Sequence, residues 1–215
     1  MSIPLDRAQT LALHMVDRLL ENGLAERVEI AGSVRRMTPT VNDIDIVVAP
    51  RWTPQLVDMF GGASDWQPQG LDRWLAETLK GSAGRVTWDM REDGGIRRQV
   101  DLRALRVDGI LVELWLAQAP ESDNFGALLQ MRTGPREWNI ALISQARRMA
   151  CQYKAGKGIF RGSDRVDDDT EEGIFQILGL PSRIPPRRRH DPTLIKALGE
   201  GRLTIDVLNS HKETP

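Results

Sequence analysis

Only one of the 215 residues is a cysteine, Cys151. No internal disulfide can form, and a zinc site built from thiolates is excluded. No apolar run approaches the roughly 20 residues that a membrane-spanning helix needs. The start, Met1-Ser2-Ile3-Pro4-Leu5-Asp6-Arg7, lacks a basic end followed by an apolar stretch. A secretory leader is therefore not expected, and the expected address is the cytoplasm. Repeats and low-complexity segments are missing too. So is any excess of charge: 29 Lys and Arg stand against 30 Asp and Glu, a net charge of −1. A dedicated high-affinity DNA binder is usually more basic overall.

What is present is an ordinary globular composition, 40% hydrophobic and 27% charged, long enough for one domain or two small subdomains sharing a core. The balanced charge is unevenly spread. Residues 131–163 hold seven basic side chains (Arg132, Arg136, Arg147, Arg148, Lys154, Lys157, Arg161) and one acidic, Glu137. An acidic run over 164–172 follows, then Arg187-Arg188-Arg189. Runs of like charge are most often solvated surface.

Leu5, Ala8, Ala12, Met15, Val16 and Leu19 recur at helical spacing, and Asn22-Gly23 supplies a stop. His14 within that helix reads as a surface or half-buried side chain. Residues 28–31 and 44–48 read as strands, and 72–80 as a helix. Three consecutive strands are expected over 86–90, 98–106 and 110–116, with turns at Asp93-Gly94-Gly95 and Asp108-Gly109. Helices follow over 125–131 and 135–150, with Pro135 at a helix start. Thr170, before Glu171 and Glu172, caps another short helix, and 193–198 can hold one more. The order predicts an α+β fold, with a mixed or antiparallel sheet followed by a small helical subdomain. The expected organisation is a catalytic sheet domain over 1–130, a helical substrate-binding subdomain over 131–190 and a C-terminal extension over 191–215.

The sharpest signal is Gly32-Ser33-Val34-Arg35-Arg36 followed by Asp43-Ile44-Asp45-Ile46-Val47. Side chains alternate along a strand, so Asp43 and Asp45 share one face about 7 Å apart, while Ile44, Ile46 and Val48 point into the core. Two carboxylates on a rigid strand can bracket two Mg²⁺ ions about 4 Å apart, the arrangement of two-metal phosphoryl transfer. Oxygen-only ligands suit such a hard cation. Upstream, Gly32 lets backbone approach a phosphate and Ser33 offers a hydroxyl and an amide. Arg36 adds a charge-assisted donor for phosphate oxygens.

These residues resemble the nucleotidyltransferases, and specifically the DNA polymerase X (polymerase beta-like) family. Its pattern is Gly-Ser-x-Arg-Arg, then Asp-x-Asp, a third carboxylate on a later strand, and Thr-Gly-Ser with Phe-Asn at a helix start. The later segment here reads Thr133-Gly134-Pro135-Arg136-Glu137-Trp138-Asn139. The end, with Thr170-Glu171-Glu172-Gly173-Ile174-Phe175, Leu178-Gly179-Leu180 and Ile184-Pro185-Pro186-Arg187, is also similar. The resemblance spans residues 10 to 189.

The third carboxylate has two candidates, Glu113 in Val112-Glu113-Leu114 and Asp101 in Val100-Asp101-Leu102. Glu113 is favoured because it lies 20 residues before Thr133, against 32 for Asp101, and the family has a short spacer there. A three-residue hairpin loop at Val107-Asp108-Gly109 would pair Ala104 with Val112 and Leu102 with Leu114. It would set Arg103 beside Glu113, with Asp101 on the same polar face. A two-residue loop would set Asp101 and Arg103 against Leu116 and Leu114, which looks unfavourable.

The resemblance implies a minimal polymerase X-like enzyme, without the family's N-terminal lyase domain, that adds nucleotides to a primer 3′-hydroxyl, including gap filling in DNA repair. It implies two Mg²⁺ or Mn²⁺ ions on Asp43, Asp45 and Glu113. It implies triphosphate contacts at Gly32, Ser33 and Arg36, Thr133 and Gly134 beside the incoming sugar, and Asn139 at the base edge with Trp138 before it. The implied partners are a nucleoside triphosphate and primed or gapped DNA, acting on a monomer. Three positions depart from the pattern: Val41-Asn42 where the family has Ser-Gly or Thr-Gly, Pro135 for serine, and Ile143 where a template-contacting arginine can stand. Transfer to RNA ends, a protein or a small molecule is the alternative reaction; an inactive nucleic-acid-binding module is the alternative of another class.

Overall fold

The computed structural model describes residues 2–55, 65–80, 101–118 and 124–210, without the side chains at 54, 55, 65, 66, 69, 79, 80 and 101. In chain order the elements are β1 (Ile3–Pro4), α1 (Leu5–Glu21), β2 (Ala25–Ile30), α2 (Gly32–Arg35), β3 (Thr40–Val41), β4 (Asp43–Pro50), β5 (Thr53–Gln55), β6 (Asp65–Gln67), α3 (Gln69–Lys80), β7 (Asp101–Val107) and β8 (Ile110–Leu116). Then come α4 (Phe125–Thr133), α5 (Arg136–Arg148), β9 (Gln152–Lys154), β10 (Gly158–Arg161), β11 (Asp164–Arg165), α6 (Glu171–Ile177), α7 (Pro192–Gly199) and α8 (Ile205–Ser210). The expected strand at 86–90 and the turn at 93–95 lie outside the described residues. Among the described residues no helix is long and apolar enough to cross a membrane.

The chain packs as two units, Met1–Ile30 with Thr40–Asp123, and Ala31–Pro39 with Asn124–Pro215. This differs from the division expected at 130 and 190. Residues 31–39 leave the sheet domain because Arg35 and Arg36 are bonded to Thr133. The C-terminal segment is no appendage: Leu194, Leu198, Leu203 and Leu208 share one core with Trp138 and Phe175.

The first unit is built on a four-stranded sheet of order β2-β4-β8-β7. β4 and β8 run parallel, and the outer pairs are antiparallel, so the sheet is mixed. Ile44, Ile46 and Val48 of β4 and Val112, Leu114 and Leu116 of β8 are buried in register on one face. The amphipathic helix α1 packs on β2 and β4 and buries Ala8, Ala12 and Leu19.

The β7–β8 hairpin takes the two-residue loop, against the three-residue expectation. Val107 pairs with Ile110, and Asp108 and Gly109 have φ of 50° and 80°. Left-handed φ at both central positions is the turn whose twist matches a right-twisted hairpin, and Asp-Gly is among its preferred sequences. Arg103 therefore pairs with Leu114, not with Glu113. The apparent penalty is met from α3. Asp72 takes Arg103 in a bidentate grip, Nε to Oδ1 at 2.7 Å and a terminal nitrogen to Oδ2 at 3.1 Å. Arg103 is 9% exposed and fully charge-compensated at its head.

The second unit gathers α4, α5, α6 and α7 around one apolar core with a small antiparallel sheet of order β11-β10-β9. Thr170 caps α6 as expected, its hydroxyl accepting from the Gly173 amide at 2.9 Å. The acidic run is not all solvated surface. Asp167 accepts from the Ile159 amide at 2.6 Å and, with Asp169, flanks the Arg165 guanidinium at 2.6 and 2.8 Å. Gly126 of α4 lies so close to the Asp169 carbonyl that a Cβ there would sit 2.1 Å from its oxygen.

Candidate active site

The candidate residues fall in both units, and each group has its own geometry. In the first unit β4 and β8 place Asp43 beside Leu111 and Asp45 beside Glu113. Positions in register on neighbouring strands face the same way, so Asp43, Asp45 and Glu113 share the sheet face opposite Ile44, Ile46 and Val112. All three are half-buried. Strand spacing sets Glu113 about 5 Å from Asp45, and strand rise sets Asp43 about 7 Å from it, backbone to backbone. Among the described residues no three Asp, Glu, His or Cys side chains converge closely enough to hold a metal ion. Asp45 Oδ1 accepts a 2.9 Å hydrogen bond from the Trp115 indole N–H. As a donor set the three carboxylates are hard, oxygen-only ligands on adjacent strands, which fits Mg²⁺ or Mn²⁺ in type. Asp101 is in register with Leu116, three positions beyond Glu113, and its side chain lies outside the described residues.

In the second unit the Gly32–Arg36 turn, α4 and α5 come together. Gly32 has φ 58°, which opens the tight turn α2. The Ser33 hydroxyl oxygen is buried with no hydrogen-bond partner among the described residues. Such an atom costs free energy unless something binds it. Thr133 is held from two sides: Arg35 donates to its hydroxyl at 2.7 Å, and Arg36 donates to its carbonyl. Gly134 has φ 56° and ψ −150°, and its peptide bond to Pro135 is cis.

Two further expected residues have structural partners. Trp138 is fully buried and belongs to the unit's apolar core. It acts by fixing α5; in this structure its side chain is not at a surface where a ligand could touch it. Asn139 is half-buried. Its amide donates to the Met131 carbonyl at 2.8 Å and its carbonyl accepts from Gln130 at 3.2 Å. Gln130 in turn accepts from the Tyr153 hydroxyl.

The sequence reading gave no role to Arg35, Glu171 or Arg189, and they form a buried ion network. Arg35 reaches Glu171 at 2.6 Å, and Arg189 reaches its other oxygen at 2.8 Å. Arg189 also donates to the Ile184 carbonyl and stacks over Phe175. Burial opposes the charge on Glu171, but Arg189 and Arg35 outweigh it and hold the carboxyl below its ordinary range. A cavity of about 250 Å³ opens beside this network, lined by Arg35, Glu171, Phe175, Arg183 and Ile184 among others. The motifs Gly-Ser-x-Arg-Arg, Thr-Gly, Thr-Glu-Glu and the last arginines are thus bonded to one another: Thr133 to Arg35, Arg35 to Glu171, Glu171 to Arg189. The available signal was partial: Arg35 and Glu171 sit inside quoted motifs beside Arg36 and Thr170, whereas Arg189 lies two residues past the Ile184–Arg187 motif.

No protein-family model matches the sequence, and no curated protein matches it. The fold does have a solved counterpart. The structure is similar to polymerase beta of Leishmania infantum, solved as a ternary P/T complex, with a TM-score of 0.60 and 18% sequence identity. The likeness covers 89% of this chain and 77% of that one. At such low identity it speaks for the fold alone: the chain is a mixed α+β protein with a polymerase beta-like fold.

Proposed function

We propose that this chain is a nucleotidyltransferase of the polymerase X type that extends a DNA primer. The observation that carries the reading is the set of three carboxylates, Asp43, Asp45 and Glu113, on one face of two adjacent parallel strands in a polymerase beta-like fold. Asp43 and Asp45 would hold two Mg²⁺ or Mn²⁺ ions, and Glu113 would share one of them. When bound, such ions lower the pKa of an attacking hydroxyl and neutralise phosphate charge. The remaining work belongs to the protein. The Ser33 hydroxyl, without a hydrogen-bond partner among the described residues, donates to a triphosphate oxygen, and Gly32 allows the backbone approach. Arg36 supplies positive charge at the same turn. Thr133, held by Arg35 and Arg36, and Gly134 after it present backbone beside the incoming sugar. Asn139 offers an amide to the base edge, which requires it to leave Met131 or Gln130. In the reaction the primer 3′-oxygen bonds to the α-phosphorus, and the bond from that phosphorus to pyrophosphate breaks. Positioning and charge compensation supply most of the rate in such transfers.

The basic side chains over 131–163 would track nucleic-acid phosphates, and gapped DNA in repair is the natural substrate of such an enzyme. The test is transfer of a labelled nucleotide to primed DNA, gapped DNA, single-stranded RNA and the protein itself. Extension of the DNA primers is expected, with low discrimination between correct and incorrect nucleotides, because Ile143 cannot hydrogen-bond a template strand. Transfer to RNA or protein with none to DNA would replace the substrate assignment. No transfer to any acceptor would leave the carboxylate face without this function.

A further inference from the structure

We infer that Trp115 is a positioning residue for Asp45, fixing the carboxylate that the proposed reaction needs. The inference rests on the reading of Asp45 as a cation ligand. On β8, Trp115 lies two residues beyond Glu113 and therefore on the same sheet face, beside Val47 of β4. Asp45 faces Glu113 directly, so Trp115 is its diagonal neighbour across the strand pair. Diagonal positions are about 7–8 Å apart, within reach of a long aromatic side chain. The indole spans that gap, and its Nε1–H donates to Asp45 Oδ1 at 2.9 Å. The ring is 8% exposed. A packed ring has few rotamers left, so its hydrogen bond holds the carboxylate in one orientation.

The chemistry of the donor suits this task. An indole N–H only donates; it cannot ligate a cation, accept a proton or titrate in the physiological range. A carboxylate has about four acceptor positions on two oxygens, and the indole N–H takes one of them. An arginine or lysine at 115 could make the same bond, but it would add a positive charge next to the place where a divalent cation must bind. A neutral donor orients the ligand without repelling the ion. Removing a hydrogen-bond partner of a metal ligand typically costs about 10–100-fold in metal affinity.

The test uses Mn²⁺ alone, with no nucleotide, titrated calorimetrically into the full-length protein. Wild type is expected to bind, Asp45→Asn to lose binding, and Trp115→Phe, which keeps a ring and drops the N–H, to bind about tenfold more weakly. In primer extension Trp115→Phe is expected to need more Mn²⁺ for half-maximal rate while approaching the wild-type rate at saturation. Binding by Trp115→Phe within twofold of wild type, with Asp45→Asn impaired, overturns the role of Trp115 and spares the functional reading. Absence of Mn²⁺ binding by wild type overturns both. Should Trp115→Phe fail to fold, the indole N–H resonance of Trp115 is followed instead in Asp45→Ala. It is expected to shift and to exchange faster with solvent; an unmoved resonance overturns the inference.

Discussion

At the scale of single residues, burial separates side chains that the sequence presents alike. Glu171 and Glu172 are neighbours, yet only Glu171 is buried between Arg35 and Arg189. Its folded pKa is depressed, so its contribution is complete above the unfolded value, about 4.3, and is lost as pH falls through the folded value. Glu171→Gln is therefore expected to cost about 3 kcal/mol at pH 7, because the buried Arg189 and the half-buried Arg35 lose their shared counter-charge. The variant should then lose less stability than wild type between pH 5 and 3. Urea unfolding across that range checks it; parallel acid slopes for the two proteins contradict it. The carboxylates make a second residue-scale case. Asp45 and Glu113 are in register and Asp101 is level with Leu116. Glu113→Gln should abolish nucleotide transfer, whereas Asp101→Asn should retain a measurable part. The reverse ranking would make Asp101 the ligand.

At the scale of elements, the helices other than α2 and α8, and the strands β4, β7 and β8, were legible because their hydrophobic period agreed with tertiary packing. The hairpin register was not. Reading β7 and β8 alone, a register that sets Arg103 against Leu114 looks wrong, and the compensating Asp72 belongs to a helix 31 residues earlier. Local patterning cannot see such a partner. Asp72→Ala should cost about 1–3 kcal/mol by removing the carboxylate that grips the Arg103 guanidinium, and Arg103→Met should restore much of that loss in the double variant. A double variant no more stable than Asp72→Ala would count against this explanation of the register. The strands β9, β10 and β11 escaped the sequence reading for a different reason: they are two to four residues long and rich in charge. Their anchor is Asp167, buried in a run that looks like solvated surface. Gly126 is a further element-scale constraint. Gly126→Ala should destabilise by about 3 kcal/mol or more, since the methyl group meets the backbone of Asp169. A melting temperature equal to wild type would show that α4 can shift away.

At the scale of the whole molecule, the α+β order and the shared strand face of Asp43 and Asp45 were legible, and the division of the chain was not. The Gly32–Arg36 turn lies between two strands of the sheet yet bonds to Thr133, 98 positions after Arg35 and 97 after Arg36. Sequence proximity therefore assigned it to the wrong unit. Overall charge carries its own expectation. Of the basic side chains over 131–163, Arg136, Arg147, Arg148 and Arg161 are exposed. At about 0.9 per neutralised phosphate, the slope of log affinity against log salt should be no steeper than about −4; a markedly steeper slope would mean a wider footprint.

The most direct measurement of the central claim is single-nucleotide extension of a DNA primer by wild type, Asp43→Ala and Asp45→Ala, with Mg²⁺, with Mn²⁺ and with chelator. Each variant's fold is verified by circular dichroism; Asp43→Ala should hold or gain slightly in stability because mutual repulsion of the carboxylates is relieved, whereas Asp45→Ala also removes the acceptor of the Trp115 indole N–H. Wild type is expected to extend the primer only with a divalent ion. Both folded variants are expected to be at least about 100-fold slower, since each lacks a carboxylate that the two-ion reaction requires. Activity within tenfold of wild type in either variant, or extension in chelator, would contradict the claim that Asp43 and Asp45 form a metal-dependent nucleotidyltransferase site.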